Sequence, residues 1–221
     1  MEPLVSFPLI TAWEFEQACQ AIVTRFGLCG HLQNEWSRVE LFKQDLAYLR
    51  ITRTLHRAID RAQSDSDEAE DEVHEDDEEA LQSRSTGESE MRIEYEVFLS
   101  PIYQVPVLYI NLEDRNGVVP PTIESLYEHV IPEQFKSHVR HFGVLGGITM
   151  ADHPATNRPV FFVHPCNTVD ALRASFQESK ITSDKYILLW MGLVGGCAGL
   201  QVPTAIAIGQ ANSTHANGDA S

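Results

Sequence analysis

A chain of 221 residues is long enough for one domain with a sizeable core, and a hydrophobic fraction of 43% suits a globular protein. The formal charge of −16 is local: Ser64 to Glu90 holds 13 acidic residues and one basic residue, Arg84, and the remainder carries 15 basic against 19 acidic residues, net −4. That balance argues against nucleic acid, which demands clustered lysine and arginine, and the acidic segment would repel DNA and anionic lipid alike.

The four cysteines, Cys19, Cys29, Cys166 and Cys197, are irregularly spaced and form no C-x-x-C pair. Met1 to Ile10 lacks the basic start and long apolar run of a signal peptide. Free thiols in a reducing, cytoplasmic setting are therefore expected, and most such cysteines are small buried hydrophobes.

In chain order, Thr11 and Glu14 have the spacing of a capping box. Phe15, Ala18, Cys19, Ile22, Val23 and Phe26 follow at helical spacing, with Gly27 as the expected stop and Cys19 on the core stripe. Strands are expected near Trp36 to Phe42 and Ala47 to Leu55. Residues 62–90 are acidic and serine-rich with few large apolar residues, so a disordered, solvated insertion is expected. A docking or phosphorylation segment is the sharper alternative, since Ser64 and Ser66 have acidic neighbours.

Order is expected to return at Ile93, Tyr95, Val97 and Leu99, which alternate as in a half-buried strand. After Pro101, Tyr103 to Ile110 reads as a second, continuously apolar strand, making a hairpin, with Pro106 pointing to a bulge or an edge. Asn116-Gly117 marks a turn, and Pro120-Pro121-Thr122 precedes a short amphipathic helix. Strands at Val144 to Met150 and Pro159 to Val163 flank a polar turn, and a helix is expected over Thr168 to Phe176. A last helix, Tyr186 to Val194, is expected to be capped by Ser183 or Asp184 and ended by Gly195-Gly196. Ile187 to Gln210 lacks charge and has the length of a membrane span, but its glycines and Pro203 favour a buried helix and a turn-rich stretch. Residues 211–221 read as a disordered tail. The sum is one α+β domain over 1–221: an N-terminal helix, an antiparallel sheet, and helices toward the C-terminal half.

Cys166 is set apart by its surroundings. The strand Phe161-Phe162-Val163 ends at Pro165, which cannot donate to a ladder. Asn167 and Asp170 have the spacing of a helix cap and its partner, placing Cys166 at a helix N-terminus, where N–H groups and the dipole favour a thiolate. His164 is near enough to orient or polarise the sulfur. A thiol so placed suits nucleophilic work, yet the pattern alone favours a structural cysteine and a packing or hydrogen-bonding histidine. A zinc site would need a second ligand pair that the sequence does not show, and a papain-like protease has other local signatures.

Phe161-Phe162-Val163-His164-Pro165-Cys166 resembles the F-x-x-H-P-C signature of the autophagy E2-like conjugating enzymes. Tyr103-Gln104-Val105-Pro106-Val107-Leu108-Tyr109 resembles the strand of one of those families, autophagy-related protein ten. Asp152-His153-Pro154 ahead of His164-Pro165, and the aromatic-rich stretch Tyr186 to Trp190 before Leu193-Val194-Gly195, follow the same order; the likeness covers about Met91 to Pro203. The resemblance implies a ubiquitin-conjugating-enzyme-like fold: a curved antiparallel sheet with flanking helices. It implies that Cys166 receives a ubiquitin-like modifier, autophagy-related protein twelve, from the activating enzyme, autophagy-related protein seven. The modifier then passes to a lysine of autophagy-related protein five, with no metal and no small cofactor at this step. It points to Tyr103, and to the facing-strand position near Thr149, where some members have asparagine, as donors to the tetrahedral oxyanion. Asn167 is a further candidate and Tyr103 also reads as a core aromatic. The alternatives are the lipid-conjugating relative, autophagy-related protein three, and a non-catalytic scaffold that binds a ubiquitin-like protein. A cytoplasmic protein, recruited to the preautophagosomal membrane, is expected.

Overall fold

The structure is a computed structural model, and it describes residues 3–43, 46–58, 88–136, 147–176 and 180–209. The chain begins with helix α1, Ala12–Cys29. Its N-terminus is the expected capping box: Thr11 Oγ1 accepts the Glu14 N–H at 3.2 Å, and the Glu14 carboxylate accepts the Thr11 N–H at 2.8 Å. Glu14 also accepts the Val5 N–H at 3.0 Å, which ties the leading segment to the helix. Phe15, Ala18, Cys19 and Ile22 are buried as their spacing requires. The helix runs through Gly27 rather than stopping there, and ends where the Gly30 N–H meets the Phe26 carbonyl. Gly27 keeps ordinary helical geometry because nothing forces it out of register.

The sheet is built from β1 (Arg38–Lys43), β2 (Ala47–Ala58), β3 (Glu88–Leu99), β4 (Pro106–Asp114), β5 (Gly117–Val118), β6 (Ile148–Asp152) and β7 (Pro159–Val163). The order is β1-β2-β3-β4-β7-β6, with β5 on β4, and all pairs are antiparallel. The expected α+β class with an antiparallel sheet and flanking helices is thus found.

Several boundaries move. Trp36 lies before β1 because its side chain is spent elsewhere: buried, it donates from Nε1 to the Gln201 carbonyl at 2.9 Å. β3 starts at Glu88, inside the stretch expected to be disordered, because β2 extends to Ala58 and offers it a ladder partner. The rest of 62–90, the stretch 144–146 and the tail 211–221 lie outside the described residues. Pro106 marks neither a bulge nor a sheet edge. It is the first residue of β4, paired with Leu99, where a missing N–H costs no interior ladder bond.

Period-two alternation sorts the strands into two faces. Leu49, Ile51, Ile93, Tyr95, Val97, Leu108, Ile110, Leu112, Phe161 and Val163 form the core face. Against them pack α1 and helix α4, Ser183–Trp190, through Phe15, Ile22, Tyr186, Ile187 and Trp190. Helix α2, Ile123–Ser125, widens into a π-turn over Leu126–Val130; α3 spans Thr168–Ser175 and α5 spans Thr204–Ile208. The residue before α4 is Thr182, not Ser183 or Asp184. Helical winding continues past Gly195-Gly196 as a π-turn and a 3-10 turn, and stops at Gly199 (φ 76°). A Cβ at Gly199 would lie 2.6 Å from the Val130 carbonyl oxygen, so glycine is required twice over. No described helix is long and apolar enough to cross a membrane.

Candidate functional site: a cysteine at the end of a strand

β7 carries the chain to Cys166. The ladder extends one residue beyond the strand, where the His164 N–H donates to the Gly147 carbonyl at 2.9 Å. Gly147 takes φ 84° to present that carbonyl, a conformation that favours glycine. Pro165 then turns the chain out of the sheet and opens a 3-10 turn, Pro165–Asn167, that leads into α3.

Of the four cysteines only Cys166 is exposed; Cys19 and Cys29 are buried and Cys197 is half-buried. Burial pushes the Cys19 and Cys197 thiols up, away from the thiolate. Cys197 Sγ instead lies 3.3 Å from the Val194 carbonyl, as a packed thiol does.

The expected cap at Asn167 does not form. Asn167 has near-helical backbone (φ −101°, ψ −1°) and its side chain makes no capping hydrogen bond. The extra 3-10 turn moves the true start three residues back, to His164. There Nδ1 accepts the Cys166 N–H at 3.1 Å. Sequence reasoning missed this role, although a signal was present: an acceptor side chain immediately before a proline at the first helical position.

Tyr103 is not in a strand. It sits in the tight connection between β3 and β4, with its N–H 3.2 Å from Ser100 Oγ. The neighbouring Gln104 adopts φ 53°, donates to the Ser100 carbonyl at 2.9 Å and accepts the Ile10 N–H at 2.9 Å. Those bonds break the apolar run Tyr103 to Ile110 into a turn and a strand. Since β4 and β7 are antiparallel, the turn comes to the Cys166 end of β7. The Tyr103 ring, 38% exposed, stands edge-on to the His164 ring at 5.6 Å between centroids. Phe162 meets the same imidazole edge-on at 5.9 Å. Thr149 is exposed on edge strand β6; its cross-strand partner is Phe162, four residues before Cys166. The fold therefore brings Tyr103, Phe162 and His164 into one ring cluster, with Thr149 one strand away.

Among the described residues, no group of three or more His, Cys, Asp or Glu side chains is placed to hold a metal ion. An exposed thiol at a strand end, on a turn opened by a proline and held by an imidazole, can act as a nucleophile on an incoming carbonyl.

The family described as "Autophagocytosis associated protein, active-site domain" matches residues 14–205. The chain is 32% identical over 240 aligned residues to the ubiquitin-like-conjugating enzyme ATG10 of Gibberella zeae, covering 92% of this chain and 98% of that protein. It is 34% identical over 119 residues to the ubiquitin-like-conjugating enzyme ATG10 of Homo sapiens, covering 53% of each. It is also similar to a crystal structure of the autophagic E2 Atg10, at TM-score 0.45 and 12% identity over 87% of this chain and 99% of that one. The chain belongs to the ATG10 family of E2-like, ubiquitin-like-conjugating enzymes of autophagy.

Proposed function

We propose that Cys166 carries a ubiquitin-like modifier, autophagy-related protein twelve, as a thioester and passes it to a lysine of autophagy-related protein five. The observation that carries this reading is the exposure of Cys166 alone among the four thiols, on the turn that follows β7. In the first step the Cys166 thiolate attacks the thioester carbonyl held by the activating enzyme, autophagy-related protein seven. A new C–S bond forms and the activating enzyme's cysteine leaves as thiolate. In the second step a neutral lysine amine attacks. The C–N bond forms, the Cys166 thiolate leaves, and the amine loses its proton.

The transfer to lysine passes through a tetrahedral oxyanion that needs a hydrogen-bond donor from this chain. Tyr103, whose ring stands beside His164, and Thr149, opposite Phe162, are the proposed donors. Threonine has the shorter reach, which makes Tyr103 the principal one. His164 completes the set of site residues. The protein would work in the cytoplasm, recruited to the preautophagosomal membrane through its partners.

The test is a charging assay with activating enzyme, ATP and modifier, read on a non-reducing gel. A higher band that vanishes with thiol reductant and is absent in Cys166→Ala is expected. A folded chain that gives no band beside an active activating enzyme would favour a non-catalytic binding scaffold. Charging instead by the modifier that is afterwards passed to a lipid would favour the role of autophagy-related protein three.

A further inference from the structure

The turn that bears Cys166 is held by a histidine acting as a hydrogen-bond acceptor. His164 has extended backbone (φ −71°, ψ 132°), as the residue before a proline must, and stands at the cap position of the turn. Its Nδ1 accepts the Cys166 N–H at 3.1 Å. Pro165 has no N–H, so the Cys166 amide is the first donor of the turn, and among the described residues Nδ1 is the acceptor it is given. A ring nitrogen that accepts carries no proton, so the neutral imidazole bears its proton on Nε2. The ring is constrained from two sides. Tyr103 from the β3–β4 turn and Phe162 from β7 meet it edge-on, at interplanar angles of 78° and 85°. Its backbone is fixed as well, by the bond from its N–H to Gly147.

We infer that His164 is a positioning residue: through Nδ1 it fixes the Cys166 backbone, and with it the Cα–Cβ bond from which Sγ projects, and it is not an acid or base at the sulfur. This rests on the reading of Cys166 as the carrier thiol. Two consequences follow from the geometry. The Cys166 N–H, already committed to Nδ1, is withdrawn from the oxyanion, so the donor must come from another residue such as Tyr103. The requirement at position 164 is an acceptor in the place of Nδ1 and not an imidazole. Asparagine, whose Oδ1 can occupy that place, meets it; leucine, of similar size, does not.

The experiment compares wild type, His164→Asn, His164→Leu and Cys166→Ala in the charging assay, and reads the His164 tautomer in the wild type by nitrogen-15 NMR near neutral pH. The expected results are the Nε2–H tautomer, charging by His164→Asn within about threefold of wild type, and charging by His164→Leu down about tenfold, the scale of a lost cap. An Nδ1–H tautomer overturns the proposal. So do equal losses in the Asn and Leu variants, which would mean that imidazole chemistry is needed, and wild-type charging by His164→Leu. Should His164→Leu fail to fold, the tautomer and His164→Asn decide: wild-type-like charging by Asn supports the role, and its loss overturns it. Charging that survives in Cys166→Ala removes the carrier reading and the positioning role with it, while the tautomer still reports the hydrogen bond on its own.

Discussion

Glu96 on β3 and His153 in the β6–β7 turn are 57 residues apart in sequence and joined by a buried hydrogen bond on the sheet face opposite the main core. His153 Nδ1 accepts the N–H groups of Ala155 and Thr156, at 3.2 and 3.1 Å, so Nε2 is the nitrogen that donates to Glu96. The other carboxylate oxygen takes Arg50, with Nη2 at 2.6 Å. Phe98 and Tyr109 pack edge-on to the His153 ring. The network reaches across β4 and fastens the β6–β7 hairpin, whose opposite end leads to Cys166. Removing one partner of a buried ion pair leaves the other uncompensated. Glu96→Gln is therefore expected to cost about 3 kcal/mol, and His153→Leu about 2 kcal/mol. Urea unfolding checks both, and the double variant should lose less than the two single losses combined, because they share one network.

Acid should erase part of that stability. Burial opposes ionisation of Glu96, but the His153 hydrogen bond and the Arg50 charge outweigh it and hold the carboxyl below its ordinary range. Glu14 is also held low: burial is outweighed by its bonds from Thr11 and Val5. A carboxyl depressed in the folded state stabilises fully above its unfolded value, about 4.3 for glutamate. That contribution is lost as pH falls through the lower, folded value. The urea midpoint of the wild type should thus fall in acid, and the deficits of Glu96→Gln and Glu14→Gln should shrink there. Deficits of constant size across that range would contradict the account.

Tyr103→Phe separates the two chemical steps. Its ring packing against His164 is kept, so the turn bearing Cys166 should stay formed and charging should stay near wild type. Discharge to a free amine should slow by about a hundredfold, the scale of a lost oxyanion donor. Thr149→Val is expected to have the smaller effect. Single-turnover discharge of the charged species reads both, and an unchanged rate in Tyr103→Phe would remove the tyrosine from the chemistry.

The acidic stretch should be dispensable for charging. Ala58 and Glu88 are direct ladder partners, so the ends of the connection between β2 and β3 lie side by side. Replacing residues 62–86 by a short glycine-serine linker keeps that register and shortens the loop to be closed, which is neutral or slightly stabilising. Charging at the wild-type rate is expected. A loss in a folded variant would identify the stretch as a docking element for the activating enzyme.

Local pattern made much of this legible. The Thr11–Glu14 box, the alternation from Ile93 to Leu99 and the strand running into His-Pro-Cys are all short-range signals, and each appears in the structure. The misses share a cause, which is hydrogen bonding to partners, some near and some distant in sequence, that composition and spacing do not reveal. Tyr103 reads as strand by composition, but bonds among Ser100, Gln104 and Ile10 make it a turn. Gly195-Gly196 reads as a stop, but the Leu200 N–H reaches back to the Gly195 carbonyl at 2.9 Å and winding continues to Gly199. Asn167 reads as the cap, but His164 captured the first donor instead. His153 was visible as part of a motif, yet its partner Glu96 could be found only once β3 and the β6–β7 turn had been brought together.

The central claim is that the acyl group of the modifier resides on residue 166. The most direct measurement is peptide mass spectrometry on Cys166→Ser after incubation with activating enzyme, ATP and modifier. The account expects the C-terminal residue of the modifier in ester linkage to the position-166 hydroxyl, resistant to thiol reductant, with no adduct in Cys166→Ala. An adduct found at Cys197 or at another residue, or conjugation undiminished in Cys166→Ala, would contradict it.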